Sequence, residues 1–194
     1  HGALTIYTSG TTGKPKGVLH THDSLFHMTN ALVTSWQYTS EDKILHFLPL
    51  YHVHGLVNKL LCVLYAGGTV EFLPAAAGPV VWKRFAEEEK LHKSNLAKPD
   101  KDFKPVTLLM GVPTVYARML EGIGKEDPTD IADAVSALKR LRLMVCGSAA
   151  LPDNILLSWE KLTGYKLLER YGMTELGMAL SNPYQGERRQ GENV

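Results

Sequence analysis

The sequence is poor in cysteine and carries no excess charge of either sign. Its 194 residues include two cysteines, Cys62 and Cys146, which lie in apolar runs without CxxC spacing. A disulfide scaffold and a cysteine zinc site are therefore not expected, and a reducing compartment fits best. Lys and Arg number 21 against 20 Asp and Glu, a net charge of +1. This balance gives no sign of a nucleic-acid partner.

Long hydrophobic runs and internal repeats are also missing. The longest run without a charged residue, Ser24–Ser40, contains His27, Asn30 and Gln37. It is shorter and more polar than the roughly 20 apolar residues of a transmembrane helix, so none is predicted. The composition, 44% hydrophobic and 21% charged, is that of a packed domain and excludes a disordered chain.

Strand-like and helix-like segments alternate along the chain. The predicted strands are 43–48, 69–73, 106–110, 142–146 and 166–171, and the predicted helices are 23–36, 56–64, 79–92, 113–120, 130–141 and 152–162. Asp23 is a plausible cap of the first helix, and residues 94–104 read as an exposed connector. The alternation predicts an α/β fold of mostly parallel sheets covered by helices. Such sheets bind ligands at the carboxyl ends of their strands, where we expect loops 8–17, 49–55, 111–113, 147–152 and 172–175.

The loop Thr8–Gly17 has the composition of a phosphate-binding segment. It contains three glycines, which allow close approach to the backbone, together with hydroxyl side chains and two lysines. The Walker A spacing fails, because Pro15 stands five positions after Gly10 and also follows Lys14 directly. On composition alone, a mobile turn is the more common interpretation.

Three ordered motifs resemble those of the adenylate-forming acyl-CoA synthetases, luciferases and peptide-synthetase adenylation domains. They are Tyr7–Val18 (YTSGTTGKPKGV), Gly147–Pro152 (GSAALP) and Tyr171–Glu175 (YGMTE). The intervening stretches 26–32, 48–55 and 168–171 are most similar to those of the malonyl-CoA synthetases. The resemblance implies that residues 1–194 are a partial AMP-binding (adenylation) domain, the central part of the large N-terminal domain of such an enzyme. The N-terminal portion and the small C-terminal domain would lie outside it, and we expect these residues alone not to turn over substrate.

The resemblance also implies a reaction. An ATP-dependent acid–CoA ligase converts malonate or methylmalonate to an acyl-adenylate with release of pyrophosphate, and then to the thioester of coenzyme A. ATP, Mg²⁺ and coenzyme A are the implied cofactor and co-substrates, and the mitochondrial matrix is the implied location, with the cytoplasm otherwise. The alternatives are a short- or medium-chain acyl-CoA synthetase and a truncated, non-catalytic nucleotide-binding paralogue. The failed Walker spacing disfavours a phosphotransferase.

Residue roles follow by matching the motifs. The resemblance assigns ATP or AMP binding to Thr8, Ser9, Gly10, Thr11, Thr12, Gly13, Lys14, Gly147, Ser148, Ala149, Glu169, Arg170, Tyr171, Gly172, Met173 and Thr174. His54, Thr174 and Glu175 would be catalytic, with His54 near the reacting carboxylate and α-phosphate and Glu175 a ligand of Mg²⁺. Taken alone, Glu175 could be a surface carboxylate, and Tyr171 could belong to the core. A zinc site built from the histidines is disfavoured by their spacing.

Arg118 is the residue predicted to select the acid. A dicarboxylate keeps a second charged group while the first reacts, and a guanidinium can bind that group bidentately. In the malonyl-CoA synthetases, the helix that corresponds to residues 113–120 supplies such an arginine, and Arg118 falls on the matching position. The ordinary alternative is an arginine whose charged end reaches solvent from an amphipathic helix.

Overall fold

The chain folds around a six-stranded, mostly parallel sheet, with a separate two-stranded hairpin at its amino-terminal end. The computed structural model describes residues 1–8, 13–74 and 78–186. The strands are β1 Gly2–Thr8, β2 Lys16–Thr21, β3 Lys43–His46, β4 Thr69–Phe72, β5 Leu108–Gly111, β6 Leu143–Gly147, β7 Leu168–Met173 and β8 Gly177–Ser181. The large sheet has the order β4-β3-β5-β6-β7-β8, parallel except for the β7–β8 pair, and β1 pairs with β2 in the antiparallel hairpin.

Helices cover both faces of the large sheet. They are α1 His22–Ser35, a π-helix His54–Leu61 continued by α2 Cys62–Tyr65, α3 Gly78–Ala97, α4 Pro113–Gly122 followed by a 3₁₀ turn Ile123–Lys125, α5 Pro128–Leu138 and α6 Asp153–Thr163. Along β3, Ile44 packs with the cluster of α1, the π-helix and α2, whereas its neighbour Leu45 packs with the cluster of α3 to α6. Because successive side chains of a strand point to opposite faces, the central strands are apolar throughout. The predicted α/β fold is confirmed.

Several helix boundaries differ from the prediction; α5, for example, spans Pro128–Leu138 instead of 130–141. Thr21, not Asp23, caps α1: the Thr21 hydroxyl accepts from the Ser24 backbone N–H, and the Ser24 hydroxyl accepts from that of Thr21. This reciprocal pair is a capping box, with serine in the third helical position. The helix α3 continues to Ala97, so the first residues of the predicted connector 94–104 are helical.

Strands β1, β2 and β8 are absent from the predicted set. Strand β2 takes up Lys16 and Gly17, which the sequence assigned to the phosphate loop, and β8 follows the YGMTE motif. Both strands pair antiparallel with the strand before them, and both are short and weakly apolar. Among the described residues, no helix combines the length and the apolarity needed to cross a bilayer.

Candidate active site

A cavity of about 480 Å³ opens at the carboxyl ends of the central strands. Four of the five predicted ligand loops contribute to its wall, because parallel strands deliver their following loops to the same edge of the sheet. The lining residues are Leu48, Pro49, His52, Val53, His54, Gly55, Val112, Ser148, Arg170, Gly172, Met173, Thr174 and Met178. A wall of this kind, largely apolar with a few polar groups, is typical of a small-molecule site.

His54, Ser148 and Arg170 form a hydrogen-bonded chain at this wall. Nη2 of Arg170 donates to the Ser148 hydroxyl at 3.0 Å, and that hydroxyl lies 3.2 Å from Nδ1 of His54. Since an arginine only donates, the Ser148 oxygen accepts from it and is free to donate its own hydrogen to Nδ1. When the serine donates in this way, a neutral His54 carries its proton on Nε2.

Burial sets the charge states of His54 and Arg170, the two ends of this hydrogen-bonded network. Desolvation lowers the pKa of His54 well below its usual value, and the nearby charges of Arg170 and Lys59 lower it further. Burial also lowers the pKa of Arg170 to about 10, which leaves it charged near neutral pH. His54 is therefore a neutral donor, and Arg170 is a cation with no carboxylate partner among the described residues.

His54 and Arg170, at the ends of the hydrogen-bonded network, each retain an unpaired N–H group. Nε2 of His54 and Nε of Arg170 are both buried and have no hydrogen-bond partner within the described part of the chain. Unpaired buried donors are costly, and such groups are usually satisfied in the functional state of a protein. The arrangement fits an oxyanion, such as a carboxylate or a phosphate oxygen, because both ends can donate and one is positively charged.

The backbone around Ser148 is shaped to make this contact. Ser148 has φ +72°, a left-handed conformation that is uncommon outside glycine and that occurs often at functional sites. A β-carbon on the preceding Gly147 would overlap the guanidinium of Arg170. The glycine and the strained serine together let the arginine cross the end of β6 and reach the hydroxyl.

The structure brings some of the predicted residues together and separates others. His54, Ser148, Arg170, Gly172, Met173 and Thr174 line the cavity, with Gly147 beneath Arg170. Tyr171 and Ala149 are exposed and do not line the cavity, and Glu169 is half-buried. Because side chains alternate along β7, Tyr171 and Arg170 lie on opposite faces, so a ring stacked on Tyr171 would occupy a different space from a ligand held by Arg170.

Glu175 lies in a second depression. The groove has a volume of about 1010 Å³ and runs between β2 and α1 on one side and β8 on the other, and Glu175 lines this groove whereas Thr174 lines the cavity. Across residues 1–8, 13–74 and 78–186, no three His, Cys, Asp or Glu side chains come close enough to hold a metal by themselves. A single carboxylate still fits Mg²⁺, which commonly takes one or two carboxylates and completes its shell with phosphate oxygens and water.

The predicted phosphate loop lies on the hairpin rather than on the parallel sheet. Thr8 ends β1 opposite Lys16 in β2, so the expectation that this loop follows a strand of the parallel sheet is wrong. Gly13 has φ +88°, and Lys14 is exposed. The other predicted members of the loop, Ser9, Gly10, Thr11 and Thr12, lie outside the described residues.

Arg118 lies apart from the cavity. It is exposed on α4, one and a half turns beyond Pro113, and its carbonyl lies against Gly78 at the start of α3. No ion pair involves Arg118 within the described residues. Its role toward the acid stays a prediction.

Three residues near the cavity were missed by sequence reasoning. His52 and Met178 line the wall. His52 stands in the His-Val-His string that drew attention to His54, whereas nothing in the sequence indicated that β8 would return Met178 to the site. Lys59 is fully buried in the π-helix. Its signal was a single lysine inside an otherwise apolar helical segment.

Fold and site together define an α/β protein with a cavity at the carboxyl edge of its parallel sheet, at whose wall a buried arginine and a buried histidine keep unpartnered nitrogens. The chain belongs to the AMP-binding enzyme family, which matches residues 1–193. The α/β fold and the three motifs agree with this membership, as does the resemblance drawn from the sequence.

Curated relatives and solved structures that match this chain include ligases. The chain is 49% identical to probable CoA ligase CCL8 of Humulus lupulus over 97% of its own length and 30% of that protein. It is 46% identical to the mitochondrial malonate–CoA ligase ACSF3 of Xenopus laevis, over 96% of this chain and 31% of that one. A structure of a malonyl-CoA ligase with methylmalonyl-CoA and AMP bound superimposes with a TM-score of 0.79 at 39% identity, covering 97% of this chain and 36% of the other. The chain therefore spans about a third of the length of the relatives it matches.

Proposed function

We propose that this chain is the acid-activating part of an ATP-dependent acid–CoA ligase whose acid is malonate or methylmalonate. The main observation behind this proposal is the hydrogen-bonded network His54–Ser148–Arg170. It ends in two unpaired N–H groups at the wall of a cavity. The relatives named as malonate–CoA ligases support the choice of acid.

The cavity suits the first step, attack of a carboxylate on the α-phosphate of ATP. Both reactants are anions, so the site must hold them together and offset their charge. Arg170 supplies a desolvated positive charge, and a neutral His54 with its proton on Nε2 donates a hydrogen bond without adding a charge of its own. Thr174, at the same wall, is the hydroxyl proposed to contact the α-phosphate.

The second carboxylate of malonate needs its own partner. Arg170 and His54 are proposed to hold the reacting carboxylate, which every acid substrate has. Arg118 is exposed, has no ion-pair partner among the described residues and does not line the cavity. The proposal therefore requires its long side chain to turn toward the cavity when the acid is bound. This division assigns the general part of acid binding to the cavity and the selection of a dicarboxylate to α4.

ATP and coenzyme A are proposed as the other two reactants. ATP would lie along the hairpin loop from Thr8 to Lys14, with its adenine near Tyr171 and Ala149, and Glu175 would bind Mg²⁺, which neutralises phosphate charge when bound. The family membership and the AMP and methylmalonyl-CoA in the similar structure support this placement. A mitochondrial location is proposed from the relative whose name includes it.

A pyrophosphate-release assay on the complete protein tests the function. Malonate, methylmalonate, acetate, propionate and octanoate would each be supplied with ATP, Mg²⁺ and coenzyme A. We expect malonate or methylmalonate to give the highest kcat/KM and to yield the corresponding CoA thioester. Release that is independent of the acid, or a preference for octanoate, would reject the malonate assignment. Ser148→Ala is the matched variant, because it removes the hydroxyl that links His54 and Arg170 by hydrogen bonds.

A further inference from the structure

Lys59 is a buried cation without a carboxylate partner. It lies on the π-helix five residues after His54 and is fully inaccessible to solvent. No ion pair is formed by it within residues 1–8, 13–74 and 78–186. An ammonium group buried in this way is costly unless its hydrogen-bond partners compensate it.

Two contacts hold the ammonium group in place. Nζ donates to the backbone carbonyl of Met110 at 2.9 Å, and it stands 3.7 Å from the centroid of the Phe47 ring. A carbonyl oxygen and the face of an aromatic ring both present negative charge, so each favours the protonated amine. Burial acts in the opposite direction and lowers the pKa of Lys59 well below its usual value.

These contacts join the two chain segments that form part of the cavity wall. Phe47 directly precedes Leu48 and Pro49, and Met110 is followed by Gly111 and Val112; Leu48, Pro49 and Val112 line the cavity. Strands β3 and β5 pair in register at one position, Ile44 with Leu108. Beyond that pair, Lys59 connects the segment after β3 with the end of β5.

The start of the π-helix is fixed to the same region. A β-carbon on Gly55 would overlap the carbonyl of Pro49, and the Gly55 carbonyl lies 2.9 Å from Nε2 of His46. Single π-helical segments occur often at functional sites. Here the segment carries His54 at the cavity wall and Lys59 beneath it.

We infer that Lys59 is a positioning residue of the acid site, whose ammonium fastens the segments Phe47–Pro49 and Met110–Val112 together and places positive charge beneath the cavity. This inference rests on the proposed function of the cavity as the acid-binding site. An anionic acid gains from a cation in a desolvated wall, because the charge is weakly screened there. The whole charge of the acid lies in the cavity, whereas the proposed nucleotide site extends away from it along the hairpin. The effect of Lys59 is therefore expected mainly on the affinity for the acid.

The test is Lys59→Met in the complete protein, a change that keeps the length of the side chain and removes its charge. We expect the KM for malonate to rise about tenfold and the KM for ATP to stay within about twofold. Lys90→Met is the matched control, because Lys90 is an exposed lysine on α3, and it should change neither constant.

The titration of His54, followed by NMR of its ring protons, is a second readout. The charged and titratable groups that act on His54 are Arg170, Lys59, His46 and His52, and all of them lower its pKa. Lys59→Met should therefore raise the pKa of His54. If the wild-type protein activates no acid, the proposed function fails, whereas a shifted His54 titration still confirms the charge beneath the cavity.

Two results would overturn the inference. One is an unchanged malonate KM together with an unchanged His54 titration. The other is an equal rise in the KM values for malonate and ATP with a lower melting temperature, which a merely structural lysine would produce. Should Lys59→Met not fold, Phe47→Leu removes the ring and keeps the ammonium. A severalfold rise in the malonate KM alone supports the inference, and an unchanged KM rejects it.

Discussion

The guanidinium of Arg170 passes directly over the α-carbon of Gly147, in the space that a β-carbon would fill. Gly147→Ala should therefore displace Arg170 from the Ser148 hydroxyl without touching the acid itself. We expect the KM for malonate to rise by about tenfold or more, a loss of roughly 1.4 kcal/mol or more. Steady-state kinetics with malonate as the varied substrate measure this effect.

Gly124→Ala is the control for that substitution. Gly124 is exposed in the 3₁₀ turn, and a β-carbon there would meet no atom within 4 Å. A double variant of Gly147→Ala and Arg170→Gln should be no worse than Arg170→Gln alone, because both changes remove the same contact. Additive losses would mean that Gly147 acts by another route.

The sequence predicted the strands of the sheet and the position of the cavity. It did not predict which side chains contact one another at the cavity wall. Alternating apolar runs identified all strands of the parallel part of the sheet, because buried parallel strands are apolar on both faces. The rule that ligands bind at the carboxyl ends of parallel strands placed the loops with His54 and Ser148 at one edge, and the resemblance added Arg170. Neither could show that Arg170 would turn toward Ser148, since that contact depends on the missing side chain of Gly147 and on the backbone angle of Ser148.

The misses have local physical causes. Strand β2 begins with Lys16 and Gly17, and nothing in an exposed antiparallel pair requires apolar residues on both faces. Lys59 was overlooked because a lysine in an apolar helix is ordinarily expected to reach solvent. Only the arrangement of Phe47 and Met110 around it explains why this lysine is buried.

The two arginines offered for carboxylate binding should respond differently to the choice of acid. Arg170 lies at the cavity wall and is proposed to hold the reacting carboxylate, so Arg170→Gln should raise the KM for malonate and for propionate alike, by about tenfold or more. Arg118 is proposed for the distal carboxylate, so Arg118→Ala should sharply raise the KM for malonate and leave that for propionate unchanged. The measurement is a comparison of the two acids in the pyrophosphate assay.

Arg140→Ala is a suitable control for those variants. Arg140 forms an ion pair with Glu89 of α3, and neither residue lines the cavity. It should leave the KM of both acids unchanged, although it removes an arginine of similar size. An Arg118→Ala variant with an unchanged malonate KM would refute the role predicted from the resemblance and would leave the cavity as the whole of the acid site.

Stability should fall as the pH drops below about 6.5. Burial first, and then the charges of Arg170 and Lys59, lower the pKa of His54 in the folded state, and burial lowers that of His46 as well. The unfolded state, with ordinary histidine pKa values near 6.5, then binds protons that the folded state does not. The free energy of unfolding is therefore greatest above that value and decreases toward acid, by up to about 1.4 kcal/mol per pH unit for each such histidine.

Urea denaturation at pH 7.5 and pH 5.5 measures that slope, with the buried Trp36, Trp82 and Trp159 as fluorescent reporters. His54→Gln should reduce the loss of stability between the two pH values, whereas the same change at the exposed His27 should leave it as it is. A slope that is equal in the wild-type protein and in His54→Gln would show that His54 is not held neutral by its surroundings.

The Asp42–Arg142 pair should stabilise the fold without affecting the acid site. Asp42 is buried just before β3, at the end of the sheet opposite the cavity, and its carboxylate accepts from Nε and Nη2 of Arg142 at 2.7 and 2.6 Å and from the Thr107 hydroxyl at 2.7 Å. Burial raises the pKa of Asp42, but these hydrogen bonds outweigh it and the pKa is lowered. Arg142→Met leaves the buried carboxylate without its ionic partner, and such a loss costs about 3–5 kcal/mol.

Lys90→Ala, which breaks the exposed pair with Asp130, should change the urea midpoint little. If Arg142→Met instead raised the KM for malonate with an unchanged midpoint, this pair would belong to the acid site and the division between the two ends of the sheet would be wrong.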